Sequence, residues 1–497
     1  MGNTTVLIVG AGPTGLMLAG ELRLAGVDVL VLERRAGRTI ESRAGGMHAR
    51  TLEVLDQRGA VAPFLAEGRQ LQTGHFSALP LDFSGYETRF PYLLMLMQAD
   101  AERLLEERLN RLGGEVVRDS TVVDLRQRDD HVEVLVQGQA GERWLRGDYL
   151  VGCDGGRSAV RKLVGIDFPG TPATMTSILG DVELTDPPDR RIFQQREEHG
   201  TFSVLDFGPD WYRVMAGEYD PVVGPAEQVD VEDLRAALIR IAGTDFGMHS
   251  PRWVSRFGDA ARQADRYRQG RVLLAGDAAH IHYPAGGQGL NTGVQDAVNL
   301  GWKLAAVTRG QAPADLLDTY HAERHPVAER VLHNTRAQTA LGAPGPHTDA
   351  LRDLVGDLIG IDEVNRALGG MVTALDIRYP LGDGHPLLGR RLPDLDLEAP
   401  GATRAYQLLH TGRPVLLDLV DTPWLKDCVD GWADRVDLVR ADCPAARWAL
   451  PVVGEVDAVP ALLVRPDGHV AWVATDGARD DDGLRAALTT WCGPAAG

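Results

Sequence analysis

Residues 6–33 read VLIVGAGPTGLMLAGELRLAGVDVLVLE, and no other stretch limits the fold so strongly. An apolar run, Val6 to Val9, meets Gly10, Gly12 and Gly15. A helix-period segment follows, then a second apolar run, Val27 to Leu32, that ends on Glu33. The pattern is G-x-G-x-x-G between a strand and a helix, with an acid 23 residues after the first glycine. Gly10 permits a tight turn, Gly12 lets the backbone approach a pyrophosphate, and Gly15 lets helix and strand pack closely. The helix N-terminus then turns free N–H groups and a positive dipole end toward the phosphates, and Glu33 is placed to accept from an adenosine ribose. A glycine turn in some other βαβ unit is the plainer alternative. Strand, helix, second strand and acid together point instead to a dinucleotide.

Two later motifs choose between NAD and FAD. Tyr149–Arg161 reads YLVGCDGGRSAVR, a strand ending on Asp154-Gly155 and followed by Arg157 and Ser158. Residues 271–307 read RVLLAGDAAHIHYPAGGQGLNTGVQDAVNLGWKLAAV: a buried strand, Gly276-Asp277, a Pro/Gly-rich loop and a long helix. Asp277 sits at a strand end, where ligands of open α/β sheets collect, and its carboxylate can hold a polyol hydroxyl. The Gly286–Leu290 loop, with Gly287, Gly289 and Leu290, brings backbone N–H groups and the positive end of the helix beginning at Asn291 to a negative group. A reduced flavin, anionic at its N1–C2=O edge, is such a group.

These three motifs, in this order, resemble the FAD-dependent aromatic hydroxylases with the p-hydroxybenzoate hydroxylase fold, the class A flavoprotein monooxygenases. The likeness runs over roughly residues 1–380 by motif and extends through the C-terminal region. It is greatest for a subgroup that tailors aromatic polyketides, the angucycline type especially, and carries an added thioredoxin-like domain. The resemblance implies an α/β protein: a Rossmann-like FAD-binding domain, an inserted antiparallel-sheet substrate domain and a C-terminal thioredoxin-like domain. It also implies that Gly10, Gly12, Gly15, Glu33 and the adjacent Arg34 hold the ADP part of FAD. Arg43 and Gln98 fall near the ribityl–pyrophosphate, and Asp277 is the acid of the GD motif. Pro284 lies beside the reactive edge of the isoalloxazine, with Arg43 a further catalytic candidate. Asp154 and Arg157 belong to a motif linked to both FAD and reduced nicotinamide.

Charge narrows the function classes. With 51 basic against 70 acidic residues the net charge is −19, which argues against sequence-independent nucleic-acid binding and against docking on anionic membrane. Cys153, Cys428, Cys443 and Cys492 show neither C-x-x-C nor metal-ligand spacing, as expected in a reducing cytoplasm. Residues 1–5 lack a charged leader, and the longest apolar runs are of strand length, so no membrane span is expected. A homodimer is compatible with all of this.

The FAD domain is expected to be discontinuous, over 1–75, 98–170 and 255–320. Segments 76–97 and 171–254 form the substrate domain, 321–384 a helical connector, and 385–497 the thioredoxin-like domain. Alternation in Thr201–Phe207 and Trp211–Glu218 suits antiparallel strands with one buried face. With Gly74–Leu96 they are expected to form one sheet over the flavin, where Phe76, Phe83, Tyr86, Met95, Met97, Tyr212 and Met215 either line an apolar pocket or fill plain core. Glu323, Arg324 and His325 are placed on a solvated face of the connector. Pro414–Val420, Val436–Ala441, Ala461–Val464 and Val470–Val473 read as strands, with a turn at Arg465-Pro466-Asp467-Gly468. Without a C-x-x-C this last domain has no dithiol couple and is expected to be redox-silent.

His280 and His282 lack the neighbouring carboxylate or thiol of a metal site; His280 reads as a loop-ordering residue. Nothing around Ser158 resembles a nucleophile elbow. The implied reaction uses NADPH or NADH as a transient co-substrate, since no second fingerprint is present, and O2 to form a flavin C4a-hydroperoxide that hydroxylates a polycyclic phenol. Ala44, Gly45 and Gly46 would give the flavin clearance to move. Alternatives are Baeyer–Villiger oxygenation of a polyketide ketone or quinone, inactivating oxygenation of an aromatic antibiotic, and, in another class, a flavin reductase or a non-catalytic flavin-binding protein. Few cations occur in the pocket segments (Arg213 and the Arg190-Arg191 pair are the exceptions), which favours hydroxylation over insertion.

Overall fold

A computed structural model describes residues 4–38, 44–139, 141–208, 211–219, 222, 228–475 and 479–496. Strand Thr4–Val9 is flanked in parallel by Val29–Leu32 on one side and by Gly141–Gly152, then Val272–Leu274, on the other. Val6, Leu7 and Ile8 are fully buried, so apolar side chains leave this strand on both faces, as a parallel sheet covered on both sides requires. Register places Leu32, Val9, Gly152 and Leu274 in one row. The three motifs, far apart in the chain, therefore emerge side by side at the carboxyl edge of one sheet, where ligands of such sheets bind.

The glycines behave as their spacing demands. Gly10 has φ +105°, and a Cβ there would lie 2.3 Å from the Cys153 carbonyl oxygen. A Cβ on Gly15 would lie 2.0 Å from the Gly10 oxygen, whereas one on Gly12 would meet nothing within 4 Å among the described residues. Helix Pro13–Leu24 then packs on helix Gln288–Thr308. Gly293 faces Thr14 and Gly301 faces Glu21 too closely for any side chain.

Strands Ile192–Glu197, Gly200–Gly208, Trp211–Glu218, Thr176–Leu184 and Met248–Gly258 form a second, antiparallel sheet in that order. One face buries Val182, Val204 and Val214 against Leu234 and Leu238 of helix Val231–Ala242. Two expectations change here. Gly74–Leu96 does not join this sheet: Thr73–Phe76 and Leu79–Asp82 make a separate hairpin, and Leu93–Met95 pairs with Gly46–Met47 and Arg69–Leu71. Phe76, Phe83 and Tyr86 are consequently core of the FAD-binding part. Strand Met248–Gly258 also runs across the expected boundary at 255.

The connector comprises helices Asp318–Gly342, Pro346–Ile359 and Asp362–Thr373. Glu323 and Arg324 are not solvated: both are buried, and only His325 is partly exposed. Their burial follows from partners invisible in the local sequence. Arg324 Nε donates to Asp296 at 2.7 Å, and Glu323 receives both arms of Arg465 at 2.6 and 2.8 Å.

The C-terminal part builds a β-α-β unit, Val415–Asp418, Trp424–Val429 and Asp437–Arg440, then two antiparallel strands, Ala461–Val464 and Val470–Val473, and helix Asp481–Cys492. This is the expected thioredoxin-like order, and all four cysteines are unpaired. The 465–468 turn is driven into the FAD-binding part. Arg58 donates to the Pro466 carbonyl at 2.7 Å, Arg50 to that of Asp467 at 2.8 Å, and Asn299 Nδ2 to the Asp467 carboxylate at 3.3 Å. Among the described residues no helix is long and apolar enough to cross a membrane, and no group of residues is arranged to hold a metal.

Candidate active site

Where the three motifs meet, Glu33 closes strand Val29–Leu32. Its Oε2 accepts from the Ala11 N–H and its Oε1 from that of Arg35, each at 2.9 Å. The acid thus shapes the glycine turn. Arg34, next to it, is exposed. Gln98 opens helix Gln98–Arg111; its N–H donates to the Ala44 carbonyl at 3.0 Å and its Oε1 accepts from the Ala44 N–H at 3.3 Å. Arg43 lies outside the described residues.

Asp154 is engaged by the segment that directly follows it. Its carboxylate accepts from Ser158 Oγ at 2.5 Å and from the N–H groups of Ala159 and Val160 at 2.6 and 3.2 Å. Oδ2 therefore caps helix Ala159–Val164, while Oδ1 holds the hydroxyl of its N-cap residue Ser158. Arg157 beside it is exposed.

The GD loop makes the cradle. Gly286 and Gly287 adopt φ +69° and +67°, left-handed values that open helix Gln288–Thr308 with a sharp bend. That bend leaves the first-turn N–H groups of Gly289 and Leu290 without intrahelical acceptors. Asp277 is exposed beside them, and Pro284 and Gly287 are also open. Asn291 turns inward: its Oδ1 accepts from the His48 N–H at 2.8 Å, and its Nδ2 donates to the Gly46 and Gly287 carbonyls at 3.2 and 2.8 Å. It staples the 44–48 segment to the helix. His48 repeats the link through Nε2, 2.6 Å from the Gly286 oxygen.

Beneath the loop, His280 Nε2 lies 2.7 Å from Asp296, which also accepts from the Gly276 N–H at 3.1 Å and from Arg324. His280 therefore orders the loop, as expected. Asp296, Arg324 and His48 were not singled out by motif. A signal existed for Asp296: a helix nearly buried all round that carries Gln295, Asp296, Asn299 and Lys303 must supply each with a partner.

The second sheet turns its other face to this cradle. Cross-strand register sets three rows: Leu205, Arg213, Asp181 and Trp253; Ser203, Met215, Leu179 and Ser255; Thr201, Gly217, Ser177 and Phe257. At one end Arg213 is held by Asp181 at 2.8 and 2.9 Å, and Phe207, stacked on Trp211, stands over Gly45. At the other end Ser177 Oγ lies 3.2 Å from the Tyr283 hydroxyl. Burial pushes the Tyr283 phenol up, and pushes Tyr219 up to about 12. Both are neutral donors at physiological pH.

Buried histidines give the fold an acid limit. Desolvation lowers both His48 and His469 from 6.5 to about 4. The unfolded chain takes up those protons first as pH falls, so stability present above pH 6.5 is lost between 6.5 and about 4, by on the order of 3 kcal/mol per histidine. Urea denaturation at pH 7.5 and pH 5 is expected to give a much lower midpoint at pH 5. A His469→Gln variant should show a shallower pH dependence, and an unchanged slope would remove His469 from this account.

The cradle fits a flavin dinucleotide: an open backbone approach at Gly12, a helix N-terminus with free N–H groups, and an exposed acid beside it. Comparison with known proteins agrees. The FAD binding domain family matches residues 3–335, and the aromatic-ring hydroxylase C-terminal family matches residues 385–495. The chain is 49% identical to the 12-dehydrotetracycline 5-monooxygenase/anhydrotetracycline 6-monooxygenase of Streptomyces rimosus, over 99% of each chain. It is 46% identical to the rifampicin monooxygenase of Streptomyces venezuelae, again over 99% of each. The crystal structure of CabE, an aromatic hydroxylase from angucycline biosynthesis, superposes with a TM-score of 0.92 at 46% identity, covering 99% of this chain and 100% of that one. The chain belongs to the FAD-dependent aromatic-ring hydroxylases and is a flavin-dependent monooxygenase.

Proposed function

We propose that this enzyme hydroxylates a polycyclic phenol of the aromatic-polyketide type, with O2 and NADPH as co-substrates. The observation that carries the reading is the cradle-facing side of the second sheet. Same-face residues along a strand repeat every ~6.8 Å, so the outer rows stand ~14 Å apart, a span suited to several fused rings. The middle row offers Met215 and Leu179 with the hydroxyl of Ser203. Such a surface packs a flat ring system and still meets its phenolic edges.

When bound, FAD supplies the reactive oxygen. The residues of the chain do the rest. Gly10, Gly12, Gly15 and Glu33 would hold the ADP part. Gly289 and Leu290 would direct N–H groups at the pyrimidine edge of the ring, and Pro284 would border its reactive side, excluding water. Tyr283 and Tyr219, neutral and partly buried, would donate to a substrate oxygen near that edge. Arg43 and Gln98 are assigned to the flavin's linking chain, and Arg157 to the approach of the nicotinamide. Because Asp181 neutralises Arg213, the row nearest Gly45 offers no lone cation to favour an anionic oxidant, which supports hydroxylation over ring-opening insertion.

The test is a screen of tri- and tetracyclic phenols, scored by NADPH consumption, with product structures solved by NMR. One new phenolic carbon per NADPH is expected. A lactone from a ketone or quinone would replace hydroxylation by insertion, and turnover with NADH alone would correct the co-substrate. Tight flavin binding with no O2 consumption on any substrate would point to the reductase or binding-protein class.

A further inference from the structure

We infer that His282 is a second acceptor for the hydroxyls of the flavin's ribityl chain, working with Asp277 across Gly289; this rests on the assignment of the cradle to FAD. His282 Nδ1 lies 2.7 Å from the carbonyl oxygen of Tyr283. A carbonyl only accepts, so the proton sits on Nδ1 and Nε2 carries a lone pair. That Nε2 is buried and has no partner among the described residues. It points at the first turn of helix Gln288–Thr308. The place a Cβ on Gly289 would take is 3.8 Å from His282 Nε2 and 4.0 Å from Asp277 Oδ1.

Two acceptors thus flank one position that has no side chain. They cannot satisfy each other, since neutral Nε2 and the carboxylate both lack a proton to give. Burial also keeps the ring neutral, lowering its pKa. A buried acceptor left unmade is unfavourable, so the donor has to come from what occupies the cradle. Along a flavin dinucleotide the phosphates and ring carbonyls accept. The ribityl chain next to the ring is the contiguous run of hydroxyl donors, and it matches a pair of acceptors set on either side of a glycine. Gly289 is small because that chain passes over it.

The experiment titrates full-length protein stripped of flavin with FAD, following quenching of flavin fluorescence, for the parent, His282→Phe and His282→Gln. Phe keeps the ring and removes the acceptor, and FAD binding is expected to weaken about tenfold with the melting temperature of the flavin-free protein unchanged. Gln restores an acceptor at similar reach, and its affinity is expected within about threefold of the parent. Should Phe fail to fold, His282→Leu also lacks an acceptor and carries the same comparison. Parent-like affinity in the Phe or Leu variant, or equal weakening by Phe and Gln, overturns the assignment. Asp277→Ala serves as the control for the cradle itself. If it binds FAD as the parent does, the Asp277 reading fails independently of His282.

Discussion

Replacing Arg465 with Met is expected to lower stability by about 3–5 kcal/mol, seen as a large drop in melting temperature and in soluble yield. Arg465 is 1% exposed. Its guanidinium holds Glu323 bidentately and also Asp467, while its flat face lies 4.4 Å from the Trp491 ring. Removal leaves two carboxylates buried near each other with Lys303 as the remaining cation on Glu323. The low-dielectric surroundings that make the pair strong make the orphan costly. A paired change, Glu323→Gln with Arg465→Met, is expected to be less destabilising than Arg465→Met alone, because it removes charge from both sides. If the double variant is worse by the sum of the singles, the residues are not coupled. The same network bears on truncation. Cutting near Gly384 strips Arg50, Arg58, Asn299 and Glu323 of partners in the 465–468 turn, so the shortened chain is expected to be insoluble rather than a smaller flavoprotein.

The second large effect separates two glycines of one fingerprint. Gly15→Ala is expected to abolish folding of the FAD-binding part, since its Cβ would sit 2.0 Å from the backbone oxygen of Gly10, which cannot yield as a side-chain tip can. Gly12→Ala meets no atom of the described residues within 4 Å. It is expected to leave the melting temperature of the flavin-free protein unchanged and to weaken FAD binding by a hundredfold or more, because the added methyl stands where the pyrophosphate approaches. Calorimetry of both variants, with and without added FAD, checks the contrast. Parent-like FAD affinity in Gly12→Ala would mean that the phosphates lie elsewhere.

Legibility followed the range of the forces involved. Glycine spacing is a local steric code: tight turn, open approach and close packing each need a missing Cβ at a fixed offset. The steric roles of Gly10, Gly12 and Gly15 were therefore readable in the sequence, as was the place of Glu33 after the second strand. Strands buried on both faces also show as continuous apolar runs, which made the sheet and its ligand-binding edge readable. The C-terminal order of strands and helices was readable for the same reason.

Side-chain partnership is not local. Glu323 and Arg324 lie on a helix whose pattern resembles a solvated face, and only the docking of the 465–468 turn and of Asp296 converts them into buried ion pairs. Asp154 sits in a motif suited to cofactor contact, and the segment that follows folds back so that two backbone N–H groups engage its Oδ2 and the Ser158 hydroxyl its Oδ1. Gly74–Leu96 alternates well enough for a sheet strand, but Phe76, Phe83 and Tyr86 find more apolar surface in the main core. By itself the sequence determined which ligand-binding edge the chain builds, because turn sterics and apolar periodicity act over a few residues. The tertiary structure alone decided which polar groups face that edge and which are buried beneath it, because a charge can be buried only where a partner, often hundreds of residues away, arrives to meet it.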